Sequence, residues 1–254
     1  MPSFLDTAID ISAKAAEIPR RYFRKTLAID QKQDESPVTI ADKETETYLR
    51  KHLKAAFPDH AIFGEEFGRE SGNSAYEWVI DPIDGTRSFI SGNPLYGMLL
   101  ALLKDEKPIL GLIRMPELGE VYTGDGTTAM MNGSQRLKTS AQTDLSQANI
   151  YINEGDKMQS AYPDLFARLC STGALRRLAY DCYPHALVAA GHVDIVVDFD
   201  LQPYDYLPLV PIITGAGGVV SDWDGKPLSM TSDGRVISAA TPELHQQILD
   251  VVNK

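Results

Sequence analysis

Trp78-Val79-Ile80-Asp81-Pro82-Ile83-Asp84-Gly85-Thr86-Arg87-Ser88-Phe89 reads as an apolar strand that runs into two carboxylates three residues apart, then a Gly-Thr turn able to open a helix. Carboxylates offer hard oxygen ligands of the kind Mg²⁺ prefers. The N–H groups of Gly85 and Thr86, released at a helix start, suit a phosphate whose charge also matches the positive end of the helix dipole. Metal and phosphoryl group would thus meet within one turn. A plain turn accounts for Pro, Asp and Gly. It does not account for the strand that feeds Asp81 or for the Thr that follows Gly85. Phosphatases and mutases with an aspartyl nucleophile carry D-x-D-G-T, with carboxylates two apart; the wider spacing of Asp81 and Asp84 favours water as the nucleophile.

Upstream, Phe4, Leu5, Ala8, Ile9, Ser12, Ala15 and Ala16 recur at helical spacing and predict a first helix to about residue 25, kinked by Pro19. Thr39-Ile40-Ala41-Asp42 reads as a capped helix start, with Tyr48, Leu49, Leu53 and Phe57 on one face until Pro58. Ala61-Ile62-Phe63 is a short strand delivering Glu65 and Glu66, and Trp78-Val79-Ile80 one delivering Asp81. Apolar runs between Tyr96 and Tyr122, broken at 104–108 and 116–119, predict an antiparallel meander. Beyond residue 140 the pattern alternates: a strand at 149–152, helices at 160–171 and 182–190, a strand at 194–199, a helix at 204–216, a strand at 236–239 and a helix at 242–252. The expected organisation is an α+β lobe over residues 1–140 that carries the acidic motif and an α/β lobe over 141–254 that completes the site.

The chain is long enough, at 254 residues and 43% apolar, to bury a sizeable core. Its net charge of −11 repels a nucleic-acid backbone or an anionic membrane surface, so neither is an expected partner, and a small anionic substrate needs divalent cations. Two cysteines, Cys170 and Cys182, are too few for a disulfide framework and lack C-x-x-C spacing. With no export signal and no window approaching 18 uninterrupted apolar residues, a soluble cytoplasmic location is expected. His52, His60, His185, His192 and His245 show no metal-ligand spacing, and neither a Walker loop nor G-x-G-x-x-G occurs. His185 reads as an ordinary helix residue.

Glu65, Asp81, Asp84 and Asp205 group as metal ligands because each sits just after a strand or just inside a helix start. Asp205 also reads as a helix-capping acid after Gln202-Pro203-Tyr204, and Glu65-Glu66 as a solvated turn.

Together, Glu65-Glu66, the 81–89 stretch, and Asp205 followed by Gly215-Ala216-Gly217-Gly218 resemble the inositol monophosphatase superfamily of Mg²⁺-dependent, lithium-sensitive phosphatases. The resemblance runs from the first helix to the last and implies a layered αβαβα sandwich and a homodimer. Arg87 to Leu95, Asp181-Cys182-Tyr183, and Gln202 to Asp205 with Leu209 to Ile213 are similar to the histidinol-phosphate phosphatase branch. That implies hydrolysis of histidinol phosphate to histidinol in histidine biosynthesis. The inositol-1-phosphate phosphatase is the nearest alternative; a phosphoadenosine phosphate phosphatase and a non-catalytic Mg²⁺-binding scaffold stand further off.

Residue by residue, the resemblance implies two or three Mg²⁺ ions. Glu65, Asp81 and the Ile83 carbonyl hold the first, Asp81, Asp84 and Asp205 the second, and Glu65 with Glu66 a looser third. Asp42 and Thr86 form the activating pair, with Glu65, around the attacking water. The Gly85 and Thr86 amides, beside Arg87, cradle the phosphate of a small phosphorylated metabolite, while Asp181, Asp198 and Asp205 meet the rest of the substrate. Two positions depart from the branch: Tyr180 and Pro184 stand where glycines are expected around Asp181-Cys182-Tyr183, and Asp198 replaces an expected Glu.

Overall fold

The computed structural model describes residues 3–25, 29–31 and 37–254. Ser3 and Asp6 close a reciprocal capping box at α1 (Phe4–Ala15). The single helix expected to residue 25 is interrupted at Ala16, where α2 (Glu17–Tyr22) begins. Pro19 explains the break, because its ring collides with the carbonyl four residues back, at Ala15, and it has no N–H to offer it. An antiparallel pair, β1 (Ile29–Gln31) and β2 (Pro37–Thr39), leads to Thr39, which caps α3 (Ile40–Ala56) as its spacing predicts.

Next come β3 (Ala61–Gly64), β4 (Gly68–Glu70), β5 (Tyr76–Asp84) and the short α4 (Thr86–Ile90). The expected meander follows as β6 (Gly97–Lys104), β7 (Lys107–Met115) and β8 (Glu120–Gly124), extended by β9 (Ala129–Met131) and β10 (Gln135–Arg136). These strands form one sheet in the order β10-β9-β8-β7-β6-β5-β3-β4.

Beyond it lie β11 (Asn149–Asn153), α5 (Gly155–Ala161), α6 (Pro163–Leu169), β12 (Leu175–Ala179), α7 (Tyr183–Ala189) and β13 (Ile195–Asp198). Then come α8 (Pro203–Tyr206), α9 (Leu209–Gly215), β14 (Val219–Ser221), β15 (Val236–Ala239) and α10 (Pro242–Val252). The second sheet runs β12-β11-β13-β15-β14.

Period-2 alternation along the strands stacks five layers. Trp78, Ile80, Leu100 and Leu102 bury against α1 and α3. Their neighbours Val79, Leu99, Ala101 and Leu103 point the other way, onto Ala186 and Ala189 of α7 and Ile212 and Ile213 of α9. Val196 of the second sheet meets Val188 of α7 from the far side. Ile150, Ile152, Ile195 and Val197 face outward, onto α5, α6 and α10. The order α, sheet, α, sheet, α is the sandwich expected.

Further differences each have a local reason. The helix expected at 160–171 is two helices, because Pro163 takes the first position of α6 and ends α5. The helix expected at 204–216 is α8 and α9, separated at Pro208, which has no N–H to continue the first turn. Strand β12 has the sequence Leu-Arg-Arg-Leu-Ala and is exposed at four of its five positions, so it carries no apolar alternation to read.

Gly111 of β7 and Gly124 of β8 let α9 sit directly on the sheet: a Cβ at either would collide with the backbone carbonyl of Pro208 or Pro211. Because Asp205 lies one turn before α9, this contact also fixes the height of that carboxylate over the sheet. Gly111→Ala is expected to lower stability by about 1–3 kcal/mol, as overpacking does, read as a lowered urea midpoint with an unchanged slope.

Candidate active site

The strand expected to end at Ile80 continues through Asp84. Residues three apart on a regular strand point to opposite faces. Here the register with β6 passes from Asp81↔Leu99 to Asp84↔Gly97, so three steps on β5 match two on its partner. That bulge turns both carboxylates to one side, and Pro82, with no N–H to place in the ladder, sits inside it. Asp81 Oδ1 accepts the Ile83 N–H at 2.9 Å and holds the bulge closed.

Asp205 arrives from the other half of the chain. At the third residue of α8 its Oδ2 accepts the Gln202 N–H at 2.7 Å, so the capping role and the site role belong to the same side chain. One carboxylate oxygen from each of Asp81, Asp84 and Asp205 lies within 4.8 Å of the other two. Burial, and then the neighbouring negative charges, push Asp84 and Asp205 up to about 8 and Asp81 well above the usual carboxylate range. The donor set is carboxylate oxygen alone, which fits a hard divalent cation rather than zinc.

Glu65, on the turn after β3, lines the same cavity of about 450 Å³. Glu66 stands outside that lining, against the expectation of a loose third ligand, and its backbone N–H donates to Glu46 Oε2 at 2.7 Å. Glu46 is wholly buried and paired with Arg50 at 2.7 Å, and thereby anchors the turn that carries Glu65.

The expected pair of Asp42 and Thr86 is in contact: Thr86 Oγ1 donates to Asp42 Oδ1 at 3.1 Å and also lies 3.3 Å from the Ile83 carbonyl. The other Asp42 oxygen accepts the Thr39 N–H at 2.9 Å and hydroxyl at 2.6 Å, completing the capping box of α3. Burial raises the pKa of Asp42.

Gly85 has φ +86° and opens α4. A Cβ there would lie 2.5 Å from the Asp181 carboxyl carbon, so glycine is required both by backbone and by space. Asp181, itself left-handed at φ +62°, accepts the Ser88 hydroxyl at 2.5 Å, and burial and then Asp84 push it up to about 8. The next N–H, that of Cys182, donates to Asp84 Oδ2 at 2.5 Å and ties the two halves of the site together.

Asp198 differs from expectation. It is 1% exposed, lies outside the cavity lining, and both its oxygens are engaged by Asn153, His185 and the Phe199 N–H. Its side chain is one methylene shorter than the Glu expected, so it stops at the internal network. Arg87 lines the cavity as expected. Residues that the sequence did not reveal complete the wall: Glu154, Lys157, Asp200, Gln202 and Tyr204, with Lys157 Nζ held 2.8 Å from Glu154 and 3.0 Å from Asp200. The only signal for Lys157 was its charge in an acidic chain.

Residues 1–254 match the Inositol monophosphatase family. The chain belongs to the inositol monophosphatase family. It is a phosphoric monoester hydrolase, and its class of substrate is a small phosphorylated molecule. Among its relatives, the chloroplastic bifunctional phosphatase IMPL2 of Arabidopsis thaliana is 41% identical over 93% of this chain and 71% of that protein. A histidinol-phosphatase of Chlorobaculum parvum is 38% identical over 91% of this chain and 90% of its own. The structure of an inositol monophosphatase from Zymomonas mobilis superimposes with a TM-score of 0.87 at 34% identity, covering 100% of both chains. Among the described residues, no helix is long and apolar enough to cross a membrane.

Because these carboxyl groups hold protons more tightly when folded than when unfolded, their contribution to stability is complete below about pH 4 and is lost as pH rises through about 8. In excess chelator the melting temperature is therefore expected to fall between pH 5 and pH 9. Added divalent cation should raise it more at pH 9 than at pH 6.

Proposed function

We propose that the protein is a Mg²⁺-dependent histidinol-phosphate phosphatase. The observation that carries this reading is the excess of acids in the wall beside the carboxylate trio: Glu154, Asp181 and Asp200 line it against Arg87 and Lys157, and Lys157 is held by two of the acids. An acidic wall suits a leaving group that bears an ammonium and an imidazole. Similarity to a protein named histidinol-phosphatase over nine-tenths of the chain supports the same substrate. Inositol 1-phosphate is the second reading, favoured by the likeness to the Zymomonas structure.

In this reading Asp81, Asp84, Asp205, Glu65 and the Ile83 carbonyl hold the Mg²⁺ ions. Bound Mg²⁺ supplies Lewis-acid activation of water and neutralises charge on the phosphoryl group. The remaining steps belong to the chain. Thr86 Oγ1, its proton committed to Asp42 Oδ1, presents lone pairs that orient the attacking water. Asp42, made more basic by burial, receives the proton that the water gives up through the Thr86 hydroxyl. Gly85 and Thr86 at the start of α4 orient the phosphate with Arg87 beside them, and Asp181 holds the leaving group.

Asp84→Asn is expected to reduce phosphate release by about 100-fold or more while far-UV circular dichroism is retained. Unchanged turnover would sink the scheme. Thr86→Ala should lower kcat by about 10²- to 10⁴-fold with little change in KM. Side-by-side assays decide the substrate: kcat/KM for histidinol phosphate is expected to exceed that for inositol 1-phosphate, and the reverse order would assign the protein to the second reading.

A further inference from the structure

Behind the cavity wall lies a buried polar chain that the proposed chemistry leaves unused. Asn153 at the end of β11, Asp198 at the end of β13 and His185 in α7 are 0%, 1% and 1% exposed. The Asn153 amide nitrogen donates to Asp198 Oδ2 at 2.7 Å and to the Asp181 carbonyl at 3.0 Å. Both of its N–H bonds are thereby used. Asn153 Oδ1, by contrast, is buried with no hydrogen-bond partner among the described residues. A flipped amide would set that oxygen against a carboxylate and a carbonyl, neither of which can donate, so one orientation is enforced at the expense of an orphaned acceptor. His185 Nε2 lies 2.9 Å from Asp198 Oδ2 and therefore carries a proton, while Nδ1 meets the Ser238 hydroxyl at 2.8 Å. The second sheet thus fixes the rotamer of Asp198, which in turn fixes Asn153.

What Asn153 holds is a strained position. Asp181 is left-handed without being glycine, a conformation that persists only where the surroundings over-determine it. From that position its carboxylate packs over Gly85 and accepts from Ser88, and the following N–H reaches Asp84. We infer that Asn153, oriented by Asp198 and His185, is the positioning residue for the Asp181-Cys182 turn, and that Asp198 serves phosphoester hydrolysis through that turn rather than by touching the leaving group. The inference rests on the chain's phosphatase activity and on Asp181 facing the substrate; it does not depend on which ester is preferred.

The test pairs an exchange measurement with kinetics. In Asn153→Leu, the amide of Cys182 is expected to lose hydrogen-exchange protection by about tenfold or more, while peptides from β5 and β6 keep theirs. kcat/KM should fall by about tenfold or more on histidinol phosphate, inositol 1-phosphate and phenyl phosphate alike, since the last has no polar leaving-group atoms for Asp198 to contact. His185→Gln, which can still donate to Asp198, should stay within about threefold of the parent in both measurements, whereas His185→Leu should follow Asn153→Leu. The histidine pair decides the matter if Asn153→Leu does not fold. The inference is overturned if protection at Cys182 is unchanged, if phenyl phosphate hydrolysis is spared while the other esters suffer, or if His185→Gln is as impaired as His185→Leu. A reversed preference between histidinol and inositol esters would overturn the substrate assignment alone, because the exchange result does not depend on turnover.

Discussion

Three carboxylates confined within 4.8 Å of one another repel, and burial denies them the water that would screen the repulsion. Nothing in the local chain favours that arrangement, so the rest of the protein has to impose it. Two come from one strand, where a bulge around Pro82 overrides the alternation that would separate them. The third comes from the helix start one turn before α9, the helix seated on the glycines of β7 and β8, about 120 residues later in the chain. The repulsion is also what makes the cavity selective: it stores a demand for positive charge that a divalent cation satisfies far better than a lone lysine does.

Around this centre, hydrogen bonds from each half of the chain end on groups supplied by the other. The Cys182 N–H lies against Asp84 and the Ser88 hydroxyl against Asp181. Such crossing contacts are costly to break singly, because each leaves a buried polar group unsatisfied. They keep the layers in register at the one place where a displacement of a fraction of an ångström would separate the carboxylates.

Much of this could be read from the chain, and the reasons for success and failure are physical. Asp81 and Asp84 were legible because a strand, two acids, a glycine and a threonine make a pattern that a simple turn does not need, whereas the residues around Asp42 spelled out only a capped helix start and its place in the site came from the family resemblance. The apolar runs that became β5 to β8 were legible as a strand and a meander because proline, glycine and charged residues break them. Proline punctuation was read less well: Pro163 and Pro208 begin new helices where continuous ones were expected. Strand β12 was invisible because an exposed edge strand has no buried face to pattern it. Glu46 and Arg50 have the spacing of an ordinary surface pair one helical turn apart, so nothing in the sequence marks the acid that the packing buries wholly. Asn153 gave no signal, since what matters there is the partner, and the partner is 45 residues away.

Asp42 and Asp205 each spend one oxygen on closing the first turn of a helix and keep the other for the site. The third position of a helix, which reaches back to the N–H of the capping residue, on its own accepts any side chain that brings an oxygen there, glutamate and glutamine above all. Here the exchange is no longer free, because the same side chain answers to two separate demands, and a replacement that satisfies one fails the other. Asparagine keeps an oxygen for the helix start while removing the negative charge from the site, so a well-folded but inactive descendant lies a single substitution away at either position.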